Sequence, residues 1–197
     1  DVSAGVISTR KPGKSYWGRV VPLPPEYSGG IDEWKPTDSE ARDGKKQKTD
    51  AGAEPTKGGE RIKKWVEAGG TVVALDSSAE YVIDLFELPV KDVVADSEEL
   101  VCPGSTLRVA VDTTHPLGWG MREEEAIYFA DSPAFKTSVP DPRFDREVVA
   151  RYPDHVRDIL LSGYLEGGKI LERRAAVVEY KIGEGRVVLI GFRAQHR

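Results

Sequence analysis

The segment Trp65–Ala79 reads WVEAGGTVVALDSSA and decides the fold that we expect for the chain. Its Gly69-Gly70 pair favours the left-handed conformation in which helices end. The run TVVAL is continuous and apolar, which is typical of a central strand buried on both faces of a parallel sheet. Ser77, three residues before Glu80, forms the capping-box pattern of a helix start. The segment therefore predicts helix, buried strand, sharp turn and helix, the local order of a doubly wound α/β domain.

Shorter strand-like runs follow this segment. A helical apolar stripe ends before Pro89, and the runs beyond it cover 107–111, 126–130, 148–152 and 159–161. Two longer runs, 175–182 and 186–192, flank Gly183-Glu184-Gly185, a connection of hairpin length. We expect an α/β fold with a mostly parallel sheet, flanking helices and a C-terminal β-hairpin.

The regions before the segment differ from it in composition. Residues 1–30 are rich in Gly and Pro, which predicts an irregular loop. Residues 31–59 consist mainly of Lys, Asp, Glu, Thr and Gly, and such a stretch buries too little apolar surface to offset its ordering entropy. We expect a mobile insertion there and the main body at 60–197. A length of 197 residues lies within the range of one domain, so the chain is expected to be a single domain.

Charge and composition exclude several classes of partner. The net charge is -5 and the basic residues are scattered, so neither nucleic acid nor an anionic membrane is expected to bind. No apolar run approaches the roughly 20 residues that a membrane-spanning helix needs. Cys102 is the single cysteine, which excludes an intrachain disulfide and predicts a small buried apolar side chain. The chain begins at Asp1 without a Met or a leader pattern, which favours a piece or a processed product of a larger protein.

The turn after TVVAL is the candidate position for a catalytic nucleophile, because a strand that turns sharply into a helix presents the nucleophile in many α/β enzymes. Asp76, Ser77 and Ser78 occupy this turn, without the glycines that accompany such a nucleophile. Our main interpretation is that Ser77 or Ser78 caps the helix, with Asp76 near its positive end. The alternative is a hydrolase or amidotransferase-like enzyme in which Ser77 or Ser78 is activated by His196 as general base.

The remaining polar and aromatic residues favour structural or packing roles. The histidines lie far apart and none has the spacing of zinc ligands, so we expect no metal site and no cofactor in this chain. His115 precedes Pro116 and is expected in an extended loop. The acidic run 123–125 is expected to be solvated. Aromatic side chains in loops are expected to pack on a partner, or to stack on sugars in a carbohydrate-binding protein; they are Trp17, Tyr27, Trp34 and Trp119.

Several segments together resemble one known family. They are 23–30 (LPPEYSGG), 65–75 (WVEAGGTVVAL), 102–108 (CPGSTLR), 112–121 (DTTHPLGWGM) and 185–196 (GRVVLIGFRAQH). In this combination they are similar to the C-terminal domain of bacterial zinc carboxypeptidase-like proteins, which has a class I glutamine amidotransferase-like, flavodoxin-like fold. The resemblance covers most of 60–197 and the loop around Tyr27, and it fails across about 32–59.

The resemblance implies an accessory role rather than a catalytic one. Peptidase chemistry, zinc included, would belong to a separate N-terminal domain, so that no catalytic or metal residue is carried over to this chain. Asp76 stands where amidotransferases have their nucleophilic cysteine, and His196 lacks the Pro-Glu that follows the histidine in their signature, which argues against glutaminase activity. The resemblance also implies that the N-terminal peptidase domain is this chain's partner and that the protein is periplasmic or extracellular.

Overall fold

The computed structural model describes residues 57–95, 97–137 and 144–194. The chain divides into two units, Asp1–Lys64 and Trp65–Arg197. Most of the first unit lies outside the described residues, and so do the predicted loop at 1–30 and nearly all of the predicted insertion at 31–59. That the chain forms a single domain stays a prediction. The following description concerns the second unit and the helix that leads into it.

Short strands and few helices make up the described residues. The α-helices are α1 (Lys57–Glu67) and α2 (Ser78–Phe86). The strands are β1 (Thr71–Leu75), β2 (Val90–Asp92), β3 (Ser105–Val111), β4 (Glu124–Phe129), β5 (Phe135–Thr137), β6 (Asp145–Arg151), β7 (Leu160–Ser162), β8 (Ala175–Ile182) and β9 (Gly185–Ile190). Single 3₁₀ turns lie at Pro116–Gly118, Val156–Asp158 and Gly168–Leu171.

The strands form one mixed sheet in the order β1-β9-β8-β6-β3-β4. Strands β2 and β5 pair with each other, β5 also pairs with β8, and β7 pairs with β3. Among the described strands, only β1 and β9 are parallel. The expected flavodoxin-like fold, with a mostly parallel sheet and flanking helices, is therefore wrong: this part of the chain is mainly antiparallel β-structure with two α-helices.

The error has a physical cause. Two parallel neighbours need a long crossover, usually a helix, whereas antiparallel neighbours can be joined by a short turn. Beyond α2 the described connections contain only turns, loops and 3₁₀ segments, so the strands that follow pair antiparallel. The apolar run of β1 also misled the prediction, because β1 is an edge strand whose residues are mostly exposed rather than buried on both faces.

Local predictions were more accurate than the topology. Helix α2 ends before Pro89, as predicted, with the left-handed residue Glu87 as its C-cap. The capping box is wrong, because Ser77 makes no side-chain capping hydrogen bond. The predicted hairpin is present: β8 and β9 pair antiparallel, with Ile182 opposite Gly185.

The tip of the β8–β9 hairpin packs on the turn between α1 and β1. The amide of Glu184 donates to the carbonyl of Glu67 at 3.1 Å, and the amide of Arg186 donates to the carbonyl of Gly70 at 3.0 Å. A Cβ at Gly185 would overlap the carbonyl oxygens of Val66 and Gly70, so only glycine permits this approach. The contact places β9 beside β1 and sets their parallel register.

Candidate functional site

The loop Asp112–Met121 connects β3 to β4 and is organised by its own polar groups. The Asp112 carboxylate accepts hydrogen bonds from the amide and the hydroxyl of Thr114, at 2.9 and 2.6 Å. These bonds lower the pKa of Asp112. Gly118 packs so closely that a Cβ there would overlap the carbonyl oxygen of Asp112. The sequence of this segment therefore encodes a compact loop and not a flexible link.

His115 fastens this loop to the sheet through both of its ring nitrogens. Nδ1 accepts a hydrogen bond from the amide of Leu117 at 3.1 Å and so caps the 3₁₀ turn. That bond leaves the ring proton on Nε2, which lies 3.0 Å from Oε2 of Glu179 and 3.0 Å from Oε2 of Glu147. The side chain of His115 is only 5% exposed. His115 thus joins the β3–β4 loop to β6 and β8.

The carboxylates around His115 differ in their surroundings. Glu179 lies in the middle of β8, is 11% exposed and also faces Arg186 of β9 at 3.4 Å. Glu147 lies opposite it on β6 and is 60% exposed. A small cavity of about 260 Å³ opens beside these residues, with Asp145 and Lys181 also in its wall. The arrangement is a charged pocket at the surface of the sheet.

The donor atoms of His115, Glu147 and Glu179 all lie within 4.8 Å of one another, a spacing that raises the question of a metal ion. A histidine that binds a metal through one nitrogen nearly always donates the N–H of the other to an acceptor. Here Nδ1 accepts a hydrogen bond from the N–H of Leu117 and therefore carries no proton. A metal at Nε2 would then require an imidazolate ring, with no proton on either nitrogen. The surroundings of His115 therefore do not fit a metal ligand, and this cluster is better described as a hydrogen-bonded latch.

A larger, apolar cavity of about 610 Å³ lies on the same side of the sheet. Register places Val73, Val188 and Val177 on the face that also carries Glu179 and Glu147. Leu117 and Met121 of the β3–β4 loop line its mouth and are exposed. Its wall also includes Val109, Val111, Ile127, Tyr128, Val149, Ala150, Ile190, Phe192 and Ala194, with Glu125 and Arg193 as the charged members. This face of the sheet is thus apolar over one part and charged over the other.

The turn Asp76–Ser78, proposed to present a nucleophile, has a strained backbone at Asp76, and the side chains of Asp76 and Ser78 form hydrogen bonds within the domain. Asp76 adopts the left-handed conformation, with φ of 51°, and its carboxylate lies 3.2 Å from Nε of Arg193. The Ser78 hydroxyl donates to the carbonyl of Leu75 at 2.5 Å and accepts from its amide at 2.9 Å. Ser77 is exposed at the N-cap position, directly before α2. His196, the proposed general base, lies outside the described residues.

Other residues singled out in the sequence have structural surroundings. Cys102 is buried, as predicted, and burial raises the pKa of its thiol. In the acidic run, Glu125 forms an ion pair with Arg122, whose hydrogen bonds lower the pKa of Glu125 to about 2. Trp119 is 70% exposed in the β3–β4 loop, while Trp17, Tyr27 and Trp34 lie outside the described residues. His155 is exposed before the second 3₁₀ turn.

Sequence reasoning missed Glu147 and Glu179 as partners of His115, and Arg186 as a partner of Glu179. One signal was available: Glu179 interrupts the otherwise apolar first part of β8, AAVVEYKI, and a carboxylate is rarely buried unless it is paired. The identity of the partner was not readable, because His115 and Glu179 are 64 residues apart and meet only through the sheet.

Comparison with known proteins identifies no family. No family model and no curated protein matches the chain. Among solved structures, a beta-galactosidase from Bacillus circulans sp. alkalophilus matches 69% of this chain at 16% identity and a TM-score of 0.37. A cytoplasmic protein from Salmonella typhimurium matches 71% of it at 17% identity and a TM-score of 0.37. The chain spans 18% and 50% of these two proteins, neither is named as a carboxypeptidase, and the TM-scores are too low to establish a shared fold.

None of the helices in the described ranges is long and apolar enough to cross a membrane.

Proposed function

We propose that this chain is a non-catalytic accessory domain of a secreted zinc carboxypeptidase-like protein. Its partner is then the N-terminal peptidase domain of the same polypeptide, which holds the zinc and performs the proteolysis. The proposal rests on the sequence segments that resemble the C-terminal domain of such proteins, and it does not include the flavodoxin-like fold, which the mainly antiparallel sheet contradicts.

The observation that carries the proposal is that both ring nitrogens of His115 are hydrogen-bonded within the domain. His115 is a buried histidine in the segment 112–121, one of those that resemble the family, and a general base needs a ring nitrogen within reach of a substrate. Both nitrogens of His115 are instead bonded within the domain, to Leu117 and to the carboxylates of Glu147 and Glu179. The residue therefore supports a role in shaping a surface rather than in proton transfer.

The Ser78 hydroxyl supports the same view. Its proton is directed to the carbonyl of Leu75 and its lone pair accepts the amide of Leu75, so a nucleophilic role would cost both bonds. The apolar cavity is suited to contact with another polypeptide, because protein interfaces have an apolar core with a polar rim.

Deletion within the intact parent protein tests the proposal. We expect the complete protein to release C-terminal amino acids from peptides in a zinc-dependent way, and to lose activity or melting temperature when this domain is removed. The isolated chain should release none and should bind no zinc. A parent gene without a zinc peptidase domain would overturn the proposal.

The competing hydrolase hypothesis is tested on the isolated chain with ester and amide substrates. Turnover by the wild-type chain that is lost in Ser77→Ala or Ser78→Ala would contradict an accessory role. Ser162→Ala, an exposed serine on β7, is the matched control. Cell fractionation of the source organism tests the proposed periplasmic or extracellular location.

A further inference from the structure

The two ring nitrogens of His115 would respond to protonation in opposite ways. Nδ1 carries no proton and accepts the amide of Leu117 at 3.1 Å. Nε2 carries the ring proton and lies 3.0 Å from a carboxylate oxygen of Glu147 and 3.0 Å from one of Glu179. In a protonated histidine both nitrogens are donors. A second proton would therefore remove the bond on one side of the ring and strengthen the contacts on the other side.

The bond that protonation removes holds the 3₁₀ turn Pro116–Gly118. The amide of Leu117 is the group in this turn that His115 caps, since the preceding Pro116 has no N–H. With a proton on Nδ1, two donors would face each other at 3.1 Å, so the Leu117 amide has to move away. The side chain of Leu117 is 44% exposed, and the turn can therefore shift without disturbing the core.

The contacts that protonation strengthens hold the ring on the sheet. Glu179 lies in β8 with its side chain 11% exposed, and Glu147 lies opposite it on β6. Their two carboxylates share the single N–H of Nε2, and a hydrogen bond from a charged donor to a carboxylate is about twice as strong as a neutral one. The protonated ring therefore stays between β6 and β8 while the turn it caps is released.

The charges around the ring compensate a second proton. Among the described residues they come from every element packed against His115, and carboxylates outnumber cations. They are Asp112 of the β3–β4 loop, Asp145 and Glu147 of β6, Glu179 and Lys181 of β8, and Arg186 of β9. Arg186 already faces Glu179 at 3.4 Å, which leaves Glu147 as the more exposed carboxylate opposite the ring.

We propose that His115 is a pH-sensitive switch that releases the 3₁₀ turn of the β3–β4 loop when its ring takes up a second proton. Histidine is the side chain whose charge ordinarily changes between about pH 5 and 8. Leu117 and Met121 lie at the mouth of the apolar cavity, so release of the turn changes access to that cavity. The inference goes beyond the accessory role proposed above and does not depend on it.

Nitrogen-15 NMR of the imidazole rings in the 197-residue chain tests the switch directly. At about pH 8, Nδ1 of His115 should have the chemical shift of an unprotonated nitrogen and Nε2 that of a protonated one. As the pH falls to about 5, Nδ1 should gain a proton, and the Leu117 amide resonance should move with the same midpoint. The protection factor of this amide against exchange should fall about fivefold, the size of one ordinary hydrogen bond. The amide of Val178, within β8, should not change, which separates local release from acid unfolding.

Two variants separate the ring from its surroundings. His115→Asn places an acceptor that does not titrate at the cap of the turn, so the Leu117 resonance should lose its pH dependence. Glu147→Gln removes one of the two carboxylates that hold the protonated ring, so His115 and Leu117 should both complete their change at a lower pH. Glu98→Gln, an exposed glutamate between β2 and β3, is the matched control and should leave both changes as in the wild type.

Several results would overturn the proposal. A proton on Nδ1 at about pH 8 would mean that the Leu117 bond is absent from the start. A Leu117 resonance that stays constant while His115 titrates, or that follows the exposed His155 instead, would break the link between ring and turn. A His115 ring that keeps one proton throughout the range would remove the switch. Persistence of the Leu117 pH dependence in His115→Asn would assign the change to the carboxylates and not to the ring.

Discussion

At the scale of single residues, His115 is expected to stabilise the fold through both of its ring nitrogens. Removal of its ring in His115→Ala leaves the poorly exposed Glu179 without one of its partners and the amide of Leu117 without an acceptor. A buried polar group left unsatisfied costs about 1–3 kcal/mol, so we expect a loss of that size in urea unfolding. His155→Ala, which removes an exposed histidine, should change stability by less than about 0.5 kcal/mol. Equal losses for the two variants would contradict the latch.

Glu125 provides a prediction on pH dependence. The hydrogen bonds from Arg122 hold its pKa at about 2, below the value of the unfolded chain. Because the folded value is the lower one, the stabilisation is present above the unfolded pKa and is lost as the pH falls toward about 2. An NMR titration of Glu125 should show this low midpoint and a return toward an ordinary value in Arg122→Gln. Arg173→Gln, which removes an exposed arginine paired with Asp154, should leave the Glu125 titration unchanged.

At the scale of secondary-structure elements, the close contact at the β8–β9 hairpin tip is the most sensitive point. A side chain at Gly185 would overlap the carbonyls of Val66 and Gly70, and carbonyl groups of a turn cannot rotate away as a flexible side chain does. We expect Gly185→Ala to cost more than about 2 kcal/mol in urea unfolding. Gly120→Ala is the control: its φ is 82°, but open space surrounds the added atom, so about 1 kcal/mol of backbone strain is expected. A smaller loss for Gly185→Ala than for Gly120→Ala would contradict this packing.

At the scale of the whole molecule, amide exchange should follow the strand order. Strand β8 is paired with β9 and β6, and its residues from Ala175 to Tyr180 are buried. The amides of β8 should therefore exchange most slowly. The amide of Val73 has no partner among the described residues and should exchange rapidly, whereas the amide of Ala74, which points toward β9, should be protected. Exchange measured by NMR checks both. Protection of Val73 equal to that of Val178 would contradict this order.

The sheet also explains why the candidate site could not be read from the sequence. His115 was expected in an extended loop, and it lies in one, but its partners Glu147 and Glu179 belong to strands far along the chain. Alternation along β6 and β8 predicts which side chains share a face and does not predict which strands are neighbours. The latch and both cavities exist only because β8 lies between β9 and β6.

Sequence by itself determined the local elements: the strand TVVAL, helix α2 with its end before Pro89, the β8–β9 hairpin and the burial of Cys102. These follow from residue periodicity, glycine, proline and turn chemistry, which act over a few neighbouring residues. Tertiary structure alone decided that β1 is an edge strand, that the sheet is mainly antiparallel and that His115 meets two carboxylates. The physical reason is that an apolar run such as TVVAL fits a central strand as well as an edge strand. Only pairing between strands that are far apart in the sequence decides where the run lies in the sheet.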